Sequence, residues 1–520
     1  MDGIWRIMGS MGASQEEVIP ITVFVAILCL CLVVGHLLEE NRWLNESITA
    51  IIIGCVSGTI ILFTSKWTSS HILRFDEELF FIYLLPPIIF NAGFQAKKKA
   101  LFHNFLTIML FGVVGVFVST FIITSGSWFL FPKFSFHGLT PRDFLGIGTI
   151  FSSTDTVCTL QVLNQDESPL LYSLVFGEGI VNDATSVVLF NAVQKLQVDK
   201  IDGSTVLQVI GDFLYLFSTS TALGIGMGLL TSYALKCFYF GRHSTIREIA
   251  VMVLMAYLSY MLSELLELSG ILTVFFTGIF MSQYAWYNVT DDSRITTWHV
   301  FAMMSSIAET FIFLYVGMDA LDIKKWKMSR LSFWDSAGVY GSLMFLIFLG
   351  RAAFVFPLSA LSNFMNRTSG SSIITFKHQV MILWAGLIRG AVSIALAFKQ
   401  FTRHGKPLDP PNATVVKTTG LVVLSSTVVF GLFTKPLLNA LLPQGTNNQK
   451  QNTAEEDMRL PLHSSEESAT TNQLDGGLAH LIKRPVYAMH SLWLRFDDNY
   501  MRSIFGGPQS NESTVQTWHE

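Results

Sequence analysis

Charge is what this chain has least of. Asp, Glu, Lys and Arg make up 14% of its 520 residues, where a soluble protein carries about 25%. That deficit, with 51% hydrophobic residues and a mean hydropathy of +0.47, excludes a water-soluble fold as the main architecture. The net charge of −4 is too small to indicate a nucleic-acid partner, and no basic aromatic patch supports one. Cysteine is sparse too. Cys29, Cys31, Cys55, Cys158 and Cys237 show no Cys-x-x-Cys or Cys…His spacing, so buried packing is expected of them rather than metal or disulfide chemistry. His36-x-x-Glu39-Glu40 lacks the second histidine of a zinc peptidase. A Thr-Val-Gly-Tyr-Gly filter, which would favour a cation channel, is absent. So is the Gly-x-Gly-Asp signature by which intramembrane aspartyl proteases resemble one another.

What is present is a series of long apolar runs. About thirteen segments are expected, near 21–38, 46–64, 78–95, 104–130, 144–163, 171–194, 206–240, 247–266, 269–284, 299–318, 337–361, 378–398 and 413–441. Most are long enough to cross about 30 Å of hydrocarbon. The fold class expected is an all-α polytopic membrane protein. It comprises a short N-terminal segment at 1–20, a transmembrane domain at 21–441 and a soluble tail at 442–520. The first run does not read as a signal peptide, because Glu16 and Glu17 precede it and no small-x-small site follows. Counting positive charges does not orient the chain. Lys97, Lys98, Lys99, Arg242 and Arg247 favour a cytosolic tail, while Lys324, Lys325, Lys327 and Arg330 favour the reverse.

Many transporters are inverted repeats whose broken helices meet near the midplane. If the first six and last six segments are such repeats, the fifth pairs with the twelfth. The fifth is polar through its middle, Ile150-Phe-Ser-Ser-Thr-Asp-Thr-Val157, and the twelfth carries a buried arginine in Trp384-Ala-Gly-Leu-Ile-Arg-Gly-Ala-Val392. Two unwound helices crossing at a binding site are therefore expected. Asp155 would neutralise the positive helix ends there and Arg389 the negative ones. A plain buried ion pair between the two remains an open alternative at this level.

The sixth segment holds two acids, Glu178 and Asp183, in Leu174-Val-Phe-Gly-Glu-Gly-Ile-Val-Asn-Asp-Ala-Thr-Ser-Val-Val-Leu-Phe190. An ionisable group at the bilayer centre costs about 2.5–3.5 kcal/mol on insertion scales and marks a functional candidate. Five residues apart, the two acids point to different helix faces. Glu178 is expected to pair with Arg351, alone in its apolar run, in a structural role. Asp183 has no such neighbour and is assigned to bind a proton or a small cation in turn. Hard alkali cations want carboxylate, hydroxyl and carbonyl oxygens. Asn182 offers hydrogen bonds without a second charge. If the empty charged site cannot change access, exchange is obligatory.

Pro86 and Pro87 should kink the third segment, and the residues leave open whether that bend serves packing or transport. Gly224-x-Gly226-x-Gly228 is expected to mark close helix packing rather than a nucleotide loop. Residues Gln444–Gly477 are expected to be disordered. The basic, bulky stretch Ala479–Phe496 suits a calcium-sensor or membrane-surface helix, or equally one docked on the protein's own cytosolic face.

These motifs resemble a known family. Leu79-Phe80-Phe81-Ile82-Tyr83-Leu84-Leu85-Pro86-Pro87-Ile88 is similar to the amiloride-associated motif of monovalent cation/proton antiporters. Phe176–Ser186 resembles their Asn-Asp helix, and Leu387–Ser393 their second crossing helix. Leu37–Ser47, Phe90–Gln95 and Phe240–Thr245 look like the plant vacuolar (tonoplast) Na⁺(K⁺)/H⁺ exchangers. The resemblance implies an antiporter fold with core and dimerisation parts, working as an elevator-like homodimer with no resident cofactor and no enzymatic activity. It implies exchange of Na⁺ or K⁺ for H⁺, one for one, for vacuolar sequestration, ion and pH homeostasis and salt tolerance. Asp183 would be the exchanged carboxylate, with Asn182 typical of electroneutral members. Thr154 and Asp155 would lie at the first unwound helix, Arg389 at the second, and Glu178–Arg351 would be the structural pair. The tail would be cytosolic, open to a calmodulin-like partner. Some relatives use a serine just after the glutamate as a cation ligand. Here that position is Gly179.

Overall fold

The computed structural model describes residues 13–38, 46–64, 77–96, 101, 104–134, 136–163, 168–195, 203–237, 244–319, 332–366, 373–403, 406–407, 409–441 and 500–506. The expectations for 444–477 and 479–496 lie outside these residues. The main helices are α1 (Ala13–Leu38), α2 (Glu46–Thr64), α3 (Leu85–Gln95), α4 (Gly115–Leu130), α5 (Pro141–Ile150), α6 (Val157–Leu160), α7 (Pro169–Lys195) and α8 (Gly203–Cys237). They continue as α9 (Thr245–Leu265), α10 (Gly270–Tyr284), α11 (Asp291–Asp319), α12 (Phe333–Asn366), α13 (Phe376–Ala385), α14 (Ala391–Phe401) and α15 (Pro410–Leu441). The one departure from an all-α fold among the described residues is a small hairpin. In it, β1 (Thr402–Arg403) pairs antiparallel with β2 (Lys406–Pro407).

Nine helices among the described residues are long and apolar enough to cross a membrane. The other expected segments are shorter or interrupted. α10 has 15 residues, the segment at 78–95 contains a π turn, and those at 144–163 and 378–398 are broken. Outward faces stay apolar, as at Phe121, Leu254 and Phe345, all exposed. Side chains of this kind on many long helices fit lipid rather than water. Cys29 and Cys237 share such exposed faces, which corrects the expectation that every cysteine is buried. An apolar run meets lipid on one side and protein on the other, so sequence alone does not say which side a residue takes. The first helix also begins at Ala13, ahead of the expected start at 21.

The chain divides into two compact units, the first of Met1–Leu85, Asn104–Leu214 and Ser306–Gly445, the second of Pro86–His103, Tyr215–Ser305 and Thr446–Glu520. In the first, α4 packs along α12 and α5, α7 against α5, and α14 against α15. One buried cluster there joins Cys31, Ile51, Cys158, Leu314, Met318 and Ile388.

In the second unit, α10 lies against the later part of α8. Thr273 and Thr277 hydroxyls donate to the Ser220 and Gly224 carbonyls, each at 3.1 Å. A side chain at Gly224 would strike the Thr273 carbonyl, so close packing is what this glycine permits. Asn288 lies in a sequon, yet its Nδ2 donates to the Ser232 carbonyl at 2.9 Å and the Phe505 carbonyl at 2.7 Å.

The double proline is accommodated by a change of helix type. Residues Phe80–Leu84 form a π turn, in which the Leu85 N–H reaches back to the Phe80 carbonyl. Proline has no N–H to donate and its ring crowds the carbonyl four residues earlier. Widening the turn just before Pro86 relieves that crowding.

Candidate functional site

α5 starts on a capping box, with Thr140 and Asp143 bonded reciprocally and Pro141 at the first position. It stops at Ile150, and residues 151–156 run irregularly to α6. α13 starts on Thr375, whose side chain accepts from the His378 N–H, and stops at Ala385. Residues 386–390 then lead to α14. Each break frees backbone groups that a dry interior must satisfy. They satisfy one another. The Asp155 N–H donates to the Ile388 carbonyl at 2.9 Å. Ser393 Oγ donates to the Ile150 carbonyl at 3.1 Å, and Arg389 Nη1 to the Ser153 carbonyl at 2.6 Å. Fifth and twelfth segments therefore cross at their breaks.

α15 completes the second break: Ser426 Oγ accepts from the Arg389 N–H at 3.1 Å, and Thr427 Oγ1 donates to its carbonyl at 3.1 Å. Asp155 and Arg389 form no ion pair with each other. Asp155 Oδ1 instead accepts from the Val157 N–H, at the start of α6, at 3.0 Å. Arg389 serves the carbonyl three residues beyond the end of α5.

α7 presents its polar side chains to this crossing. Asn182, 1% exposed, accepts at Oδ1 from the Thr154 N–H at 3.2 Å and from the Ser186 hydroxyl at 3.4 Å. Asp183 Oδ1 accepts from the Ser153 hydroxyl at 2.6 Å. No Lys, Arg or His forms an ion pair with Asp183 among the described residues. On another face of α7, Glu178 pairs with Arg351 Nη1, both almost wholly buried. Arg351 Nη2 also donates to the Ile382 carbonyl of α13 at 2.9 Å. Asp183, Asn182, Thr154, Asp155 and Arg389 are thus gathered at one place, with Glu178–Arg351 beside it.

The proline motif is distributed differently. Leu79 ends a short helix, Phe80, Phe81, Ile82, Tyr83 and Leu84 form the π turn, and Leu85, Pro86, Pro87 and Ile88 open α3. The Phe81 ring lies 5.6 Å from Lys399 Nζ of α14.

Sequence reading did not single out Ser153, Ser186, Ser426 or Thr427. Ser186 was within reach, since four residues after Asn182 it shares that face of the helix. The two α15 hydroxyls had no signal, because nothing local ties residues 426–427 to 389. A second π turn, Leu110–Val114, was also unmarked. Its Gly112 lies where a side chain would meet Val181 and the Asn182 N–H.

The sequence profile of the transmembrane sodium/hydrogen exchangers matches residues 21–440. The chain belongs to the sodium/hydrogen exchanger family. It is 67% identical over 514 residues to sodium/hydrogen exchanger 4 of Arabidopsis thaliana, covering 97% of each chain. To sodium/hydrogen exchanger 1 of Oryza sativa subsp. japonica it is 55% identical over 501 residues, covering 95% of this chain and 94% of that one. The fold is similar to that of the sodium proton antiporter MjNhaP1 from Methanocaldococcus jannaschii, with a TM-score of 0.59 at 17% identity over 82% of this chain and 100% of that one. This exchanger is a multi-pass cation/proton antiporter, and membership implies Na⁺ and H⁺ as transported ions.

Proposed function

We propose that Asp183 is the carboxylate at which this antiporter trades one H⁺ for one Na⁺ or K⁺, without net charge movement. The observation that carries the reading is its setting: an acid on a largely buried helix, beside two crossing chain breaks, bonded to a hydroxyl and, among the described residues, to no cationic side chain. A half-buried charge with no fixed cationic partner favours a mobile one. Proton and alkali cation are then alternatives, and the oxygen-rich surroundings suit the latter. Asn182 holds Thr154 in place while adding no second charge. Asp155 and Arg389 act on the broken helices, and Glu178 with Arg351 braces α7 against α12 and α13. The protein uses no resident cofactor and carries out no enzymatic step.

The wider setting of the proposal is a homodimer in the vacuolar membrane, with residues 21–441 transmembrane and 442–520 a cytosolic tail open to a calmodulin-like sensor. It rests on the likeness of residues 37–47, 90–95 and 240–245 to plant vacuolar exchangers. In that setting the exchanger loads the vacuole with cations at the expense of the proton gradient.

The test is a proteoliposome with an imposed pH gradient. Added Na⁺ or K⁺ should collapse the gradient without net current, and Asp183→Asn should abolish the collapse. Competition fixes the sign of the pH effect: lowering pH on the cation-binding side raises the apparent KM for the cation. Full exchange by Asp183→Asn, or a KM that ignores pH, would overturn the assignment.

A further inference from the structure

We propose that Ser153 is a cation ligand and a determinant of Na⁺ over K⁺ preference, its hydroxyl oxygen completing the site that Asp183 begins. This rests on the reading of Asp183 as the exchange carboxylate and adds the residue that sets which cation it prefers. Most oxygens around Asp183 are already committed. The Ser153 carbonyl accepts from Arg389, Asn182 Oδ1 accepts twice, and Asp155 Oδ1 accepts from Val157. Ser152 Oγ is tied to the Thr149 carbonyl and to Ser186. α7 itself offers no hydroxyl one turn before Asp183, because position 179 is glycine. A side chain there would run into Thr156 Oγ1.

Two hydroxyls stand apart from these: Thr154 Oγ1, buried with no hydrogen bond among the described residues, and Ser153 Oγ, the one of the two that is bonded to Asp183. Ser153 is 2% exposed, and its hydroxyl donates to Asp183 Oδ1 at 2.6 Å. Among the described residues it accepts nothing, so its lone pairs are uncommitted. A cation held by Asp183 finds that oxygen already in place. The placement is rigid, since Arg389 fixes the Ser153 carbonyl and Ile388 fixes the Asp155 N–H. A fixed hard oxygen favours the smaller, more charge-dense ion, which gains most from each ligand.

The experiment compares purified, reconstituted wild type, Ser153→Ala, Ser153→Thr and Asp183→Asn. Initial rates are measured against Na⁺ and K⁺, and the Na⁺-dependent rise in Tm is measured in detergent. Ser153→Ala should raise the KM for Na⁺ by about tenfold, the effect of one lost polar contact to a charge. It should raise the KM for K⁺ less and blunt the Tm response to Na⁺. Ser153→Thr keeps the hydroxyl and should restore the preference. If Ser153→Ala lowers both maximal rates equally at unchanged KM, the residue only supports the fold and the proposal falls. Exchange persisting in Asp183→Asn would instead remove the underlying reading, whatever Ser153 does.

Discussion

Residues 151–156 bring four hydroxyls and a carboxylate to the crossing, whereas residues 386–390 bring one guanidinium, two glycines and apolar side chains. The first break reaches outward with its side chains: Ser153 to Asp183, Ser152 to Ser186, Asp155 to the start of α6. The second is held from outside, by Ser426 and Thr427 of α15 on the Arg389 backbone and by Arg351 on Ile382 one turn earlier. Two interruptions of similar length are therefore not equivalent. In the proposed exchange the first supplies the chemistry, and the second supplies a rigid support with one positive charge. The comparison predicts that damage to the second break shows as lost stability, and damage to the first as altered ion preference.

The largest effect is expected from Glu178→Ala. It strands Arg351, which is 1% exposed, without its carboxylate, a loss of about 3–5 kcal/mol when one member of a buried pair goes. Thermal unfolding in detergent should show it as a large drop in Tm. Replacing both members by Leu should recover much of that loss, because apolar packing substitutes for a buried pair. A Glu178→Ala protein as stable as wild type would break the idea that this pair supports the second break.

Gly390→Ala comes next. Its backbone, φ −119° and ψ −167°, suits any residue, so the objection is spatial. A Cβ there would lie 2.6 Å from Asp155 Oδ2. Relief requires the two breaks to move apart, at a cost of about 1–3 kcal/mol typical of overpacking. Both Tm and transport rate should fall, and a variant that transports normally would show that the crossing tolerates slack.

Much of this was legible beforehand because charge in an apolar run is costly enough to be conspicuous. Asp155, Glu178, Asp183, Arg351 and Arg389 stood out on that ground, and the polar middle of 150–157 together with Arg389-Gly390 marked the breaks. What stayed hidden was carried by neutral hydroxyls. Ser153, Ser426 and Thr427 cost little inside a helix bundle, so their presence announces nothing until the chain breaks that need them are seen. The π turns were equally silent. Pro86 and Pro87 signalled a disturbance, but the widened turn that precedes them is seen only in the structure.

Thr427→Val should have the smallest effect and sharpens the comparison most. Thr427 is fully buried, and valine nearly matches its shape, so packing survives while the donor to the Arg389 carbonyl is lost. The net worth of such a bond is about 0.5–1.5 kcal/mol, which a modest fall in Tm would register. The Arg389 N–H keeps its bond to Ser426 Oγ, and the guanidinium keeps the Ser153 carbonyl. The ligands proposed around Asp183 thus stay where they are. Thr427→Val should therefore slow exchange of Na⁺ and K⁺ in proportion and leave their KM ratio untouched, opposite in character to Ser153→Ala. A shift in that ratio would mean that the second break also shapes the ion site, and that chemistry and support are not divided between the two.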